Sequence, residues 1–421
     1  MTERAAQQAG IAPPPRIWLM TGHRAGDNSQ VLALAEGLQS RLGWPFEIKR
    51  FVYRRTELAT NLLLGGNLLG MVKSASSPLE PPWPDLILTA GRRNEPICRW
   101  IQQQAAGQRV RLVHVGRTWA AIERFDLIVT TPQYRLPRLP NILHNETPLH
   151  RIQDDRLEAQ ATAWRPRFAD LPEPHIAVIM GGNSGPYTFD PAAGARLARQ
   201  ASAFAKARGG SLLVTTSART PPDALAAFEQ ALDAPAYLYR WSAKAKENPY
   251  FAYLALAKEL IVTGDSMSML AEACATRKPV HIFDLGEGKY AMRPGQEAGA
   301  ARQSREGWQR DYLRAFIFRM AMKVPPKRMT RDIRIVHRKL IETGRAVWLG
   351  DPFPDTPPPP LESVDRAVAA VAALFDDAPS SEVASDLSGA ADPAVVASTE
   401  ATRIDTPPVD PGRIDPGRKA V

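Results

Sequence analysis

The chain has 421 residues, 44% hydrophobic and 23% charged, a balance that excludes a collagen, a coiled coil or a wholly disordered chain and suits two domains with tails. Its net charge of +9 is uneven: residues 376–421 carry nine acidic and four basic groups, a net of −5, which leaves +14 on the body and favours anionic partners. No apolar run approaches the ~20 residues that span a bilayer, MTERAAQQAGIAPPPR carries no secretory pattern, and Cys98 and Cys274 form neither a disulfide framework nor a CxxC site, so reducing cytosol is the expected compartment.

In chain order, residues 1–15 read as a flexible leader. IWLM (17–20), FEIKRFVY (46–53), DLILT (85–89), VRLVHV and FDLIVT read as strands, with QVLALAEGLQSRL and EPICRWIQQQA as helices between them. A polar, proline-broken linker follows over 151–174. The pattern restarts with strands HIAVIM (175–180), SLLVTTS (211–217), AYLYRWS, LIVTG (260–264) and PVHIFDL (279–285), again alternating with helices. This order predicts an α/β protein of two Rossmann-like domains facing across a cleft, over 16–150 and 175–301. Basic helices over 302–350 are expected to pack back on the first domain. Residues 351–421 are expected to form a proline-rich, acidic, disordered tail with one short amphipathic stretch, SVDRAVAAVAALF.

Ligands of such sheets sit at the carboxyl ends of the strands. The first turn, MTGHRAGDNSQ, matches neither GxGxxG nor GxxxxGK[ST]. It is either a capped turn, with Asp27, Asn28 or Ser29 capping, or a substrate loop in which His23 or Asp27 accepts a proton. MGGNSGPYTFD sets Gly182, Asn183 and Ser184 ahead of a helix, a recipe for an anion cradle. VTTSARTPPD supplies Ser217 and the Arg219 fork, with Thr220 as a helix cap. LIVTGDSMSMLAEA ends a strand at Gly264, caps a helix with Asp265 and Ser266, adds Ser268, and places Glu272 to accept from vicinal sugar hydroxyls. That layout suits a nucleotide-sugar better than a nicotinamide.

TGHRAGDNSQ, GGNSGPYTFD, TTSARTPP, NPYFAYLALAKELIVTGDSMSMLAEA and HRKLIETGRAVWLG together resemble the bacterial relatives of the plant mitochondrial-fission "elongated mitochondria" family, also described as glycosyltransferases. The resemblance covers about residues 16–350. It implies a GT-B-like layout with the donor on Gly182, Asn183, Ser184, Ser217, Arg219, Asp265, Ser266, Met267, Ser268 and Glu272. The His23–Asp27 loop then faces the acceptor. No convincing DxD lies on a turn, Asp154-Asp155 being in the linker, so the expected transferase uses no metal and no cofactor. Helix N-termini and Arg219 would hold the leaving diphosphate.

Residues 302–345 hold thirteen Lys or Arg and four Asp or Glu. Tyr312, Phe316 and Met320, with Leu313 and Ile317 beside them, make one apolar helical face bordered by Arg310, Arg314, Arg319 and Lys323. The face either packs on the first domain or touches anionic lipid, which would place the protein peripherally at the inner membrane. Nothing resembling a zinc finger, an RNP motif or a helix-turn-helix accompanies the charge, so nucleic acid is not an expected partner. The leading expectation is transfer of a sugar from a nucleotide-sugar donor to an envelope or lipid-linked acceptor. A nucleotide-sugar epimerase and a non-catalytic, fission-factor-like interaction protein are the alternatives.

Overall fold

The structure is a computed structural model that describes residues 13–22, 24–54, 65–287, 291–294, 315–318, 320, 331–356 and 358–376. Its first sheet is wholly parallel. Strands β1 (Ile17–Thr21), β2 (Phe46–Arg50), β3 (Leu86–Ala90), β4 (Arg111–Val115), β5 (Leu127–Thr130) and β6 (Ile142–His144) lie in the order β2-β1-β3-β4-β5-β6. A parallel sheet is covered on both faces, which is why β1 and β3 read as continuous apolar runs. The period of two still sorts the side chains. Ile17, Leu19 and Leu88 face one core with α1 (Ala25–Leu42), whereas Trp18, Met20 and Ile87 face another with α2 (Glu95–Gln104).

Helix α3 (Asp154–Trp164) occupies the expected linker, and its Trp164, with Phe168 of the turn that follows, packs on the second half. Strands β7 (His175–Ile179), β8 (Ser211–Thr215), β9 (Ala236–Tyr239), β10 (Glu259–Thr263), β11 (Val280–Phe283) and β12 (Val347–Trp348) form a second parallel sheet, ordered β12-β11-β10-β7-β8-β9. Helices α4 (Pro191–Lys206), α5 (Pro222–Ala231), α6 (Tyr250–Leu256), α7 (Met267–Ala275) and α8 (Arg334–Glu342) belong to this half. The expected α/β class with two doubly wound sheets is therefore the observed one.

The C-terminal region meets one expectation in part and corrects another. Within 302–350, α8 and β12 complete the second half: Ile333, Val336, Leu340 and Trp348 enter its core, and β12 pairs with β11. The segment also touches the first half as expected, where the Asp332 amide donates to the Gln133 carbonyl at 3.0 Å and Arg135 donates to the Asp332 carboxylate at 2.7 Å. A second return to the first half is made by α9 (Ser363–Ala372), inside the stretch assigned to the disordered tail. Val364, Ala367, Val368 and Val371 are buried against Leu34 and Leu38 of α1 and strands of the first sheet. Each valine removed from water contributes about 1.5–3 kcal/mol, enough for a short amphipathic helix to dock. Asn145 Nδ2 donates to the Ser363 carbonyl at 2.9 Å, and Arg111 Nε donates to the Leu374 carbonyl at 2.7 Å. The rest of the proposed apolar face is divided. Tyr312, Leu313, Arg310, Arg314, Arg319 and Lys323 lie outside the described residues. Phe316, Ile317 and Met320 are exposed.

Candidate functional site

Chain order reverses beside β1 in the first sheet and between β7 and β10 in the second. Crevices open where neighbouring connections leave in opposite directions, outside the carboxyl ends of those strands. The two crevices meet: a Cβ built on Gly26, in the first turn of α1, would lie 3.6 Å from Ser268 Oγ, in the first turn of α7.

The second-half crevice is organised around Asp265, 1% exposed. Its Oδ2 accepts from the Gly182 amide at 3.0 Å, and its Oδ1 accepts from the Thr263 hydroxyl at 2.7 Å. Arg219 forms an ion pair with the same carboxylate at 2.9 Å. Thr263 Oγ1 also accepts from the Gly181 amide, at 2.7 Å. The Gly181 carbonyl receives the hydroxyls of Ser217 at 2.8 Å and Thr220 at 2.6 Å. Both glycines are required by close approach. A Cβ on Gly181 would overlap the Asp265 carboxylate, and one on Gly182 would overlap the Arg219 carbonyl.

This network corrects the anion-cradle expectation. The amides of Gly181 and Gly182 already donate within the protein, and the charge of Arg219 is already offset. Asn183 Oδ1 accepts from the Phe189 amide at 2.7 Å, and its carbonyl accepts from Arg219 at 3.2 Å. Asp265 does not cap α7, and Ser266 takes the N-cap position without a side-chain capping bond. Thr220 does not cap α5, whose N-cap is Pro221. Met267 is a core side chain, 4% exposed. The α7 N-terminus therefore keeps the positive end of its dipole free of any side-chain cap. Glu272, in the second turn of α7 and 8% exposed, accepts from the Tyr250 hydroxyl at 2.5 Å. Burial pushes its carboxyl up, while Tyr250, Arg151 and Arg156 act in the opposite direction.

In the first half, His23 lies outside the described residues. Asn28 is not a cap but a clamp on the turn: Nδ2 donates to the Gly22 carbonyl at 2.7 Å, and Oδ1 accepts from the Gly22 amide at 2.9 Å. Asp27 is half-buried and points toward the end of β3, where a Cβ on Gly91 would lie 3.1 Å from its Oδ2. Burial raises its pKa, against the opposing pull of Arg24 and Arg331. A cavity of about 460 Å³ opens on the β2 side of the same turn, lined by Gly22, Leu32, Ile48, Arg50, Phe51 and Arg151 among others.

Several positioning residues were not singled out in the sequence. Asn94, 2% exposed, donates to the carbonyls of Met20 at 3.1 Å and Ala90 at 3.2 Å, tying the ends of β1 and β3. His337 shares a 2.6 Å hydrogen bond with the Gly264 carbonyl, so its Nε2 carries the proton, and burial holds its pKa down at about 4. Arg331 donates to Ser184 Oγ at 2.6 Å. Histidine and asparagine within otherwise apolar or turn segments were the available signals.

The sequence profile described as "Mitochondrial fission ELM1" matches residues 25–305, two thirds of the chain. The chain belongs to the mitochondrial fission ELM1 family. The mitochondrial fission protein ELM1 of Arabidopsis thaliana is 27% identical over 261 residues, 56% of this chain and 60% of that protein. The match thus spans less than two thirds of that relative. The UDP-GlcNAc 2-epimerase of Neisseria meningitidis, solved bound to UDP-GlcNAc, is similar at 11% identity and a TM-score of 0.41, over 85% of this chain and 100% of that one. A glycosyltransferase from Rickettsia africae ESF-5 is similar at 10% identity and a TM-score of 0.40, over 87% and 100%. Structural likenesses of that strength assign no activity to an ELM1-family chain.

Among the described residues, no group of three His, Cys, Asp or Glu stands together as a metal site, and no helix is long and apolar enough to cross a membrane. Cys98 and Cys274 are buried free thiols, and burial pushes both up to about 12.

Proposed function

We propose that this ELM1-family protein binds a nucleotide-sugar in the second-half crevice and transfers the sugar to an acceptor held by the first half. The observation that carries the reading is the meeting of two switch-point crevices, with the uncapped N-terminus of α7 and the buried Glu272 on one side and Asp27 on the other. The diphosphate lies over the first-turn amides of α7, with Ser266 and Ser268 at hand, and the Glu272 carboxylate accepts from the ribose hydroxyls. Asp27 takes the proton of the acceptor hydroxyl. That oxygen bonds to the sugar carbon as the bond to the diphosphate breaks, and the nucleoside diphosphate leaves with both electrons of that bond. The raised pKa of Asp27 suits a base. The cavity, with apolar Leu32, Ile48 and Phe51 and basic Arg50, suits an amphipathic, anionic acceptor. Exposed Phe316, Ile317 and Met320 support contact with an anionic membrane surface.

Titration calorimetry with a panel of nucleoside diphosphates tests the donor site. One base is expected to bind, and Glu272→Ala is expected to weaken it at least about tenfold, the worth of a charged hydrogen bond. Unchanged binding in Glu272→Ala removes the donor assignment. Turnover of the donor with no acceptor present would mark an epimerase, and no binding by any base would favour the interaction protein.

A further inference from the structure

The second-half crevice holds two nearly buried carboxylates, and the protein satisfies them unequally. Asp265 has three partners of its own: the Gly182 amide, the Thr263 hydroxyl and Arg219. Glu272, 8% exposed, accepts through Oε2 from the Tyr250 hydroxyl at 2.5 Å. Among the described residues no donor reaches its Oε1, and no ion pair forms on the carboxylate. The two arginines that act on it from farther away are committed elsewhere. Arg151 Nε donates to Glu36 at 2.8 Å, and the Arg156 guanidinium carbon lies 4.5 Å from the centroid of the Phe251 ring. Burying a carboxylate without full hydrogen bonding is costly. An oxygen left open at a crevice is therefore a place for a ligand hydroxyl.

The one partner is itself held firmly. Tyr250 opens α6, its amide donating to Asn248 Oδ1 at 3.0 Å and its ring meeting Phe251 edge-on at 5.4 Å. The far end of α6 is closed by Lys278, whose Nζ donates to the carbonyls of Leu254 at 2.8 Å and Ala257 at 2.7 Å. Lys278 lies between α7 and β11, so α6 is tied to the same unit that carries Glu272. A free carboxylate presents either oxygen to a donor, whereas one already engaged through Oε2 presents Oε1 in a single orientation.

We propose that Tyr250 is a positioning residue: its hydroxyl holds Glu272 with Oε1 turned to the crevice, and the pair selects a ligand with ribose hydroxyls over its deoxy counterpart. This role rests on the nucleotide-sugar reading of the same crevice. The probes are ADP, GDP, CDP and UDP and their 2′,3′-dideoxy forms, titrated calorimetrically into the full chain. The preferred ribonucleotide is expected to bind about tenfold tighter than its dideoxy form. Tyr250→Phe is expected to reduce that ratio to about twofold by weakening the ribonucleotide alone. In a Glu272→Ala background the same substitution is expected to change neither ligand. That pair of variants carries the test if Tyr250→Phe alone, with its orphaned carboxylate, unfolds. A merely structural tyrosine would weaken both ligands alike, with or without Glu272, and either result overturns the positioning role. A ratio kept in Tyr250→Phe but lost in Glu272→Ala overturns that role and leaves the donor site standing. Binding of no nucleotide by the wild type, or an undiminished ratio in Glu272→Ala, overturns both.

Discussion

The two switch-point crevices are built from similar parts and hold their loops in different ways. In the second half, a buried carboxylate closes the glycine loop on itself: Asp265 takes the Gly182 amide, the Thr263 hydroxyl and Arg219 together. In the first half, three glycine turns each carry an arginine into a shared space. A glycine-rich loop after a strand is therefore not in itself an anion site. What decides is whether its amides already have partners inside the protein. Those of Gly181 and Gly182 do, so the second crevice offers a helix terminus and hydroxyls instead.

The comparison breaks most sharply at Asp265. Asp265→Ala would orphan the buried Gly182 amide and Thr263 hydroxyl, and two unsatisfied donors cost about 4 kcal/mol together. Urea unfolding should show that loss. A loss below about 1 kcal/mol would mean that the loop is not held by this carboxylate.

A slightly smaller effect sharpens the first-half side. Burial pushes the Glu95 carboxyl from 4.5 up to about 7, against the amides of Trp119 and Ala120. An acid with a raised folded-state pKa keeps its proton in the native chain after the unfolded chain has released it. Its contribution therefore falls as pH rises from 4.5 to about 7, by about 3 kcal/mol in all. Buried His150 and His337, both held down at about 4, act in the opposite direction between pH 4 and 6.5. The readout is thus the difference between wild type and Glu95→Gln. That difference should slope across pH 5–7, and a flat difference would place Glu95 in a better-solvated setting.

Much of the fold was legible because buried parallel strands write themselves as short apolar runs between helical patterns. IWLM, DLILT, HIAVIM and LIVTG all lie on observed strands. The three-residue β6 and two-residue β12 were too short to show a period. SVDRAVAAVAALF was recognised as amphipathic, but its partner was not, because that surface is assembled from α1 and the first sheet, more than 200 residues earlier in the chain. Site residues were found at the right turns, since the topology puts function at strand ends. Their partners were misjudged: Asp265 and Thr220 read as helix caps, yet both turn toward the glycine loop, a choice that depends on how closely two loops approach. The turns after β1, β3 and β4 share a glycine followed within two residues by arginine, a repeat that becomes legible only once those strands are known to be neighbours.

The docking of α9 onto the first half is the next test in size. Val368→Ala removes two buried methyl groups at the contact with α1 and should cost about 2 kcal/mol. The loss should appear in the stability of the full chain by urea unfolding. A neutral result would return residues 363–375 to the status of a tail.

The smallest effect falls on the turn that presents Asp27. Asn28 grips the Gly22 amide and carbonyl at once, and Asn28→Ala gives up both bonds where the backbone is only half-buried, so water recovers part of the loss. The expected cost is about 1 kcal/mol. Its value lies in where the change is felt. Because Asp27 lies on the same turn, a loosened turn should slow sugar transfer by a few-fold while leaving nucleoside diphosphate binding at α7 as it was. Nucleotide binding weakened to the same extent would join the two crevices into a single site and dissolve the contrast between them.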